Sequence, residues 1–403
     1  MYDYLIIGAG LTGITLCKKL REKGIQNVIV LEKEGEIGGL CRTRLINGHT
    51  LDIGGGHFFN TKYPAIFDYV FSYLPKEEFQ YYKRVSKIKL GDYTIDYPLE
   101  SNIWQLTLPK QVSFLMSIIR NGESMGLKEP HNYEEWIRWK LGDMVCDEYM
   151  LPYNQKLWGV APEEMDIDWL HKIPRVNVEE VLQYSLQRQQ DTSKFPAHVN
   201  FYYPKRGGFQ RIVDALAKDE RDYICCSEKV TQLDYNGQYW KVNGTHSAKA
   251  VINTAPWPDL QRALDIPPEL LADFARLRYN RIVVSLYESD YEVNWHWRYV
   301  PDINTPYHRE FFISNFAPDS KPGGIYRETN LLRHQADRKA LAEVTTAAAY
   351  PIPVLGHKKA MDNILNFLAE RKLYGVGRWG RHAYQNADVA MLDAITFVEK
   401  ITG

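Results

Sequence analysis

Three glycines and one acid near the start of the chain have the types and spacing of a dinucleotide site. The glycines stand in Gly8-Ala9-Gly10-Leu11-Thr12-Gly13, and the acid is Glu32. Gly8 permits a tight turn, Gly10 lets the backbone approach a pyrophosphate, and Gly13 lets a helix pack closely on a strand. A pyrophosphate held there sits on the amides that open a helix at Leu11 and Thr12. Glu32 can accept hydrogen bonds from a ribose hydroxyl, and Lys33 follows it. Two more glycine turns follow, Ile37-Gly38-Gly39-Leu40-Cys41-Arg42 and Asp52-Ile53-Gly54-Gly55-Gly56-His57. A nicotinamide dinucleotide needs only the first turn. A second turn after the acid, then a third ending in His57, suits a chain that follows a longer ligand. Adjacent glycines carry a conformational-entropy cost that a plain turn does not require.

Two later stretches mix polar and aromatic chemistry. Tyr149-Met150-Leu151-Pro152-Tyr153-Asn154-Gln155-Lys156-Leu157-Trp158-Gly159 interleaves two amides and a lysine with aromatics, and Pro152 is expected to break any helix there. Such a mixture suits a wall that stacks a base and meets its polar edges, although spacing alone leaves core packing equally open. Phe201 to Phe209 places Lys205 and Arg206 ahead of a helix marked by Ile212, Val213 and Leu216. Cations at a helix start suit an anion, and a solvated loop accounts for them as well.

The elements that must carry these residues are legible from periodicity. Tyr4–Ile7 and Val28–Leu31 read as buried strands around a helix from Leu11 to Lys23, with Gly24 as its stop. Arg84–Leu90 and Tyr93–Tyr97 read as a hairpin turning at Gly91-Asp92, closed by Pro98. Residues 103–190 are mostly helical: Pro109 starts one helix with Val112, Leu115, Met116 and Ile119 on its apolar face, Asn132 with Glu135 caps another, and Asn177 caps a third running to about Gln190. A β-rich return follows, with strands at 223–226, 229–233, 239–242 and 250–256. Residues 281–287, 295–300 and 310–315 read as antiparallel strands, Ala347–Pro351 follows a helix-like stretch, and Asn386 caps a final helix from Ala387 to Lys400.

The chain has 403 residues, enough for two or three compact units. Its formal net charge of -1 gives no electrostatic case for nucleic acid or an anionic membrane. No apolar run approaches the ~20 residues that span a bilayer. Five cysteines, an odd number with Cys225 and Cys226 adjacent, match no metal spacing and read as reduced thiols. With the first strand beginning at residue 4, no room is left for a signal peptide, and a cytoplasmic location is expected.

The three glycine turns resemble those of the FAD-binding family that includes amine oxidases, protoporphyrinogen oxidases and UDP-galactopyranose mutases. The later segments narrow the likeness to UDP-galactopyranose mutases, nearer the eukaryotic type in motif though as short as the bacterial ones. The resemblance implies an α/β fold: a Rossmann-like FAD domain of the glutathione-reductase type assembled from 1–75, 200–265 and 350–403, a helical cap at 76–199 and an antiparallel sheet at 266–349. For the cofactor it points to Gly39, Leu40, Arg42, Gly55, Gly56 and His57, then to Val230 near the adenine and to Thr254, and last to Gly377, Arg378, Tyr384, Asn386 and Asp388 at the final flavin loop. For the nucleotide it points to Tyr97 and Asn102 on the hairpin, and to Tyr149, Met150, Tyr153, Asn154 and Trp158 on the wall. Arg206 and Arg309, with Tyr299, Tyr350 and Tyr384, fall at its diphosphate and sugar positions. Glu100 stands where the family has an amide, and Phe316 replaces a tyrosine.

The activity implied is non-redox interconversion of a nucleotide-sugar, a UDP-sugar by the resemblance, between pyranose and furanose forms, with reduced FAD as nucleophile. His57, Arg206, Arg309, Tyr350 and Tyr384 are the catalytic candidates. An external reductant, NAD(P)H or a flavin reductase, is implied, and a homodimer is open. The rival readings are an FAD-dependent oxidoreductase of the amine-oxidase type, whose substrate would bleach the oxidised flavin, and a non-catalytic nucleotide-sugar binding protein, which would lose FAD on purification.

Overall fold

Strand Tyr2–Ile7 lies inside a seven-stranded sheet whose sides both feed a core. Leu5 and Ile7 face one apolar cluster with Trp257, Phe274 and Ile364, while Ile6 faces the other with Ile14, Met391 and Ala394. Burial on both faces explains why Tyr4–Ile7 and Val28–Leu31 read as continuous apolar runs rather than alternating ones. The protein is described by a computed structural model covering residues 1–167, 169–170, 177–189 and 199–403. The expected helix end at Gln190 lies outside these residues; the helix itself is Val178–Gln187, capped by Asn177.

In this sheet Tyr2–Ile7 is parallel to Val28–Leu31 on one side and to His246–Asn253 on the other. The helix between the first two strands, Leu11–Glu22, completes the strand–helix–strand unit expected of a dinucleotide fold. Ile224–Cys225 extends the sheet beyond Val28–Leu31, and Leu373–Gly375 pairs with the end of His246–Asn253. Residues 229–232, read as a strand, are irregular, and the strand there is Leu233–Tyr235.

The second seven-stranded sheet has the order Ala342–Pro351, Tyr279–Glu288, Gly324–Asn330, Arg309–Phe311, Trp297–Tyr299, Ser86–Leu90, Tyr93–Asp96. Its pairings are antiparallel except that of Trp297–Tyr299 with Ser86–Leu90. Two expectations change here, and one strand is new. The hairpin at 86–96, assigned to the helical cap, extends this sheet. Ala347–Pro351, read as following a helix, ends strand Ala342–Pro351. Gly324–Asn330 is a further strand, concealed by the continuous polar run Arg327 to Asn330 in its second half.

The helical part also departs from its sequence pattern. Pro152 does not break the helix: helical backbone runs on from Asp143 through Trp158, and the wider π turn at Cys146–Met150, just ahead of Pro152, is where the hydrogen-bond ladder adjusts to its missing N–H. Helix Leu108–Ile119 buries Phe114 and Ile118, and the expected apolar face is turned outward at Val112, Met116 and Ile119. No helix among the described residues is long and apolar enough to cross a membrane.

Candidate active site

The first glycine turn is shaped by what a side chain would strike. Gly8 has φ +98°, and a Cβ there would stand 2.8 Å from Thr254 Oγ1, which donates to the Ile7 carbonyl at 2.8 Å. A Cβ on Gly13 would lie 1.9 Å from the Gly8 carbonyl oxygen, so the helix rides on the strand end at a distance only glycine allows. Gly10 differs, because the nearest atom to its Cβ would be Gly39 Cα at 3.9 Å. That face is open. The Gly38 amide donates to the Ala9 carbonyl at 2.8 Å, so the second glycine turn lies against the first with no side chain between. Together they make a bare backbone floor at the carboxyl ends of parallel strands, where such sheets bind ligands.

Glu32 closes one end of this floor. It is buried, and its carboxylate accepts the Ala9 amide at 2.8 Å and the Glu34 amide at 2.9 Å. A carboxylate has about four lone-pair sites, so two remain for ribose hydroxyls. Lys33 is exposed and paired with Asp259 at 3.6 Å. Arg42 donates Nε to the Gly39 carbonyl at 3.0 Å and pairs with Glu36, which braces the second turn.

The third turn is tied to the second by His57, whose Nε2 bonds the Leu40 carbonyl at 2.9 Å. Burial lowers its pKa to about 4, so the ring is neutral, with Nε2 carrying the proton and Nδ1 an acceptor. A Cβ on Gly54 would lie 2.4 Å from the Leu40 oxygen, and Gly55 has φ +99°. At the far side Gly377, φ +75°, lies where a Cβ would meet Thr12 at 2.4 Å. Asn386 stands at the N-cap of helix Ala387–Thr402, whose first turn, with Asp388, faces the same space.

The other arm is built from one helical face and three strands. Tyr149, Tyr153 and Leu157, then Met150, Asn154 and Trp158, recur at four-residue spacing and look into the cavity together. Asn154 is engaged internally: it donates to Tyr133 Oη at 2.7 Å and to the Met150 carbonyl, and accepts from Trp158 Nε1 at 3.1 Å. It therefore orients Trp158, whose ring meets Tyr350 and Tyr384 edge-on at 6.0 and 5.7 Å. Opposite, Tyr299 and Arg309 are register partners on neighbouring strands. The Tyr299 ring lies 5.2 Å from that of Tyr97 and 5.5 Å from that of Tyr153. Arg378 donates to the Ala349 carbonyl at 2.7 Å and stacks over Tyr350 and Tyr384 at 4.9 and 5.2 Å.

Floor and arm share one cavity of about 1160 Å³. It is larger than the ~300–1,000 Å³ usual for a single small ligand. Most of the anticipated residues line it, including Val230, Leu40, Gly56 and Tyr384. Gly13, Gly55 and Gly377 stand behind the lining and act by close packing. Two anticipated residues are elsewhere. Asn102 is buried and donates to the Pro98 carbonyl at 2.9 Å, bracing its own turn. Arg206 is exposed on its loop and is not part of the wall. Lys156 is buried too, donating to the Val300 and Asp302 carbonyls at 2.8 and 2.7 Å.

Sequence reasoning missed Arg84 and Glu328. Arg84 lines the cavity, donates to Tyr299 Oη at 2.5 Å and lies over Trp297, Phe58 and Tyr97 at 5.0, 5.4 and 6.0 Å. Its place at the start of an alternating hairpin gave it the look of a solvated strand residue. Glu328 is fully buried behind Arg309, with Tyr350 Oη donating to it at 3.0 Å. Glu328 stands in the polar run Arg327-Glu328-Thr329-Asn330, which gave no sequence signal of burial.

Residues 6–73 match the NAD(P)-binding Rossmann-like domain family. The chain is 22% identical over 402 residues to a probable UDP-galactopyranose mutase of Klebsiella pneumoniae, covering 98% of this chain and 93% of that one. It is 24% identical over 180 residues to the dTDP-fucopyranose mutase of Escherichia coli, covering 43% of this chain and 46% of that one. A crystal structure of reduced UDP-galactopyranose mutase superposes with a TM-score of 0.88 at 21% identity, covering all of this chain and 94% of the other. The chain has the fold of UDP-galactopyranose mutase and resembles those enzymes along nearly its whole length.

Proposed function

We propose that this protein is a flavin-dependent nucleotide-sugar mutase that interconverts pyranose and furanose forms. The observation that carries the reading is the single cavity joining a backbone floor for a dinucleotide to an aromatic arm with Arg84 and Arg309 in its wall. FAD suits the floor: bare glycine turns meet a pyrophosphate, and Glu32 keeps lone pairs for a ribose. When bound and reduced, it supplies a nucleophilic nitrogen for the anomeric carbon.

The chain's own residues do the rest. Arg309 and Arg84 offer guanidinium donors to a leaving diphosphate, the planar groups best matched to phosphate oxygens. Tyr97, Tyr149, Tyr153 and Tyr299 form the face on which a base and ribose stack. Trp158, Tyr350 and Tyr384 enclose the space next to Arg378 and keep water from an activated sugar. Neutral His57 moves no proton at neutral pH, and its bond to Leu40 fixes two glycine turns relative to each other. Arg378 and the amide end of helix Ala387–Thr402 place positive charge at the junction of floor and arm, which favours a negatively charged reduced cofactor.

A panel of nucleotide-sugars with dithionite-reduced protein tests this, read by separation of ring isomers. Reduced protein should turn over many equivalents with no net consumption of reductant, and oxidised protein should bind without turnover. Bleaching of the oxidised flavin by an amine or alcohol, with no ring isomerisation, would instead establish an oxidase.

A further inference from the structure

We propose that Glu100 reads the edge of the nucleotide base with its carboxyl group, so that binding of uracil or thymine and binding of guanine depend on pH with opposite sign. The proposal deepens the nucleotide-sugar reading and rests on it.

Glu100 is in the short turn Leu99–Ser101, only 4% exposed, yet it lines the aromatic arm of the cavity. Its one hydrogen-bond donor among the described residues is its own backbone amide. A buried carboxyl with no cation and one local donor is costly to retain for the fold alone. Tyr97 and Tyr149, whose flat rings suit a base, line the same cavity and lie close enough to feel the Glu100 charge.

Burial pushes its pKa up to about 7, with its own amide as the opposing influence. Tyr97 and Tyr149 keep their protons, since burial raises both. Asp147 and Glu148, on the turn carrying Tyr149, are paired with Arg138 and Lys110. Arg84 lies over the Tyr97 ring, and Glu179 and Glu180 belong to the helix packed on the Glu100 turn. None of these charges is among the influences on Glu100.

Uracil and thymine present a donor, N3–H, flanked by carbonyl acceptors. A neutral carboxyl accepts from the first with one oxygen and donates to a carbonyl with the other, as a primary amide would. Once ionised it can only accept, so one bond is lost and the second oxygen faces a carbonyl. Guanine has the opposite demand: N1–H beside an amino group matches a carboxylate. The sign of the pH dependence therefore separates uracil or thymine from guanine.

The experiment is calorimetric titration of oxidised holoprotein with UDP-galactose and GDP-mannose, whose diphosphate diesters do not titrate in the range, for wild type, Glu100→Gln and Glu100→Ala. Wild-type affinity for UDP-galactose should fall about tenfold between about pH 6 and about pH 8.5, the worth of one hydrogen bond. Glu100→Gln should hold the low-pH affinity throughout, and Glu100→Ala should be weak throughout. Comparing wild type with Glu100→Gln removes every other titrating group. Parallel profiles for those two, or affinities for UDP-galactose and GDP-mannose that change with pH in the same direction, would overturn the proposal while leaving a nucleotide-sugar protein. Failure of wild type to bind either compound at any pH would overturn both the proposal and the reading beneath it.

Discussion

Arg309 and Glu328 are register partners on adjacent antiparallel strands, and their side chains form an ion pair at the wall of the cavity. Glu328 also receives Tyr350 Oη at 3.0 Å and lies 3.1 Å from His308 Nε2. One buried carboxylate thus sets the pose of a cation and a tyrosine that both face the cavity. The geometry leaves Arg309 with donors still directed at a ligand, since one terminal nitrogen meets Glu328.

Burial alone would raise the Glu328 carboxyl, but the Arg309 charge and the His308 bond outweigh it and hold the pKa well below the usual carboxylate range. A depressed folded pKa means stability that is complete above the unfolded value, near 4.5, and is lost as pH falls below it. Glu328→Gln should cost on the order of 1.5–3 kcal/mol at neutral pH, because half-buried Arg309 loses its counter-charge and a charge-assisted hydrogen bond. Urea midpoints of the two proteins should converge as pH drops below about 4.5. A gap that stays constant down to pH values near 3 would contradict the assignment of the charge to Glu328.

Arg84 and Arg206 make opposite predictions. Arg84 lines the cavity and Arg206 does not. Arg84→Met keeps much of the stem that packs on Phe58 and Trp297 while removing the guanidinium. Loss of a charge-assisted bond to phosphate, worth about 1.5–3 kcal/mol, should weaken UDP binding roughly tenfold or more by calorimetry. Arg206→Met should change it by less than about twofold. A reversal of that order would return the diphosphate role to the Arg206 loop.

Gly10 and Gly13 separate binding from packing within a single motif. Gly13→Ala forces a methyl to within 1.9 Å of the Gly8 carbonyl oxygen, so it should destabilise the apoprotein by at least the ~1–3 kcal/mol typical of overpacking. Gly10→Ala meets nothing closer than 3.9 Å. It should leave the melting temperature of apoprotein nearly unchanged while lowering FAD retention. Equal loss of stability in both variants would show that the open face at Gly10 is not where a ligand comes close.

The cofactor floor was legible because its chemistry is local. Gly8, Gly13 and Glu32 act through neighbours within one strand–helix–strand unit, so spacing alone specified their jobs. The arm was less legible, since its walls come from residues far apart in sequence. Asn102 looked like a ligand-binding amide and is instead engaged by its own turn, while Asn154 lines the cavity and is also held by Trp158. Arg84 became visible only once the hairpin at 86–96 joined the second sheet beside Trp297–Tyr299. The Tyr149–Trp158 stretch was read as broken by Pro152, which hid the four-residue spacing that turns its aromatics to one side.

Arg378 permits a prediction in which fold and cofactor respond differently. Its guanidinium is stacked on Tyr350 and Tyr384 and bonded to the Ala349 carbonyl, and among the described residues no carboxylate lies within ion-pairing distance of it. Burial lowers its pKa from the ordinary arginine value, the sign of a cation held without full compensation. Replacing such a charge by an apolar group of similar length is often neutral or stabilising. Arg378→Met should therefore leave the apoprotein as stable as wild type in urea. Under the proposed function the same change removes positive charge that favours the reduced, anionic flavin. The two-electron potential of bound FAD should fall by on the order of 30–60 mV, given about 30 mV per 1.4 kcal/mol. Spectroelectrochemical titration of both holoproteins measures this without reference to turnover. A variant that keeps its FAD and shows an unchanged potential would remove Arg378 from the flavin's surroundings, and a variant that merely unfolds would contradict the stability half of the argument.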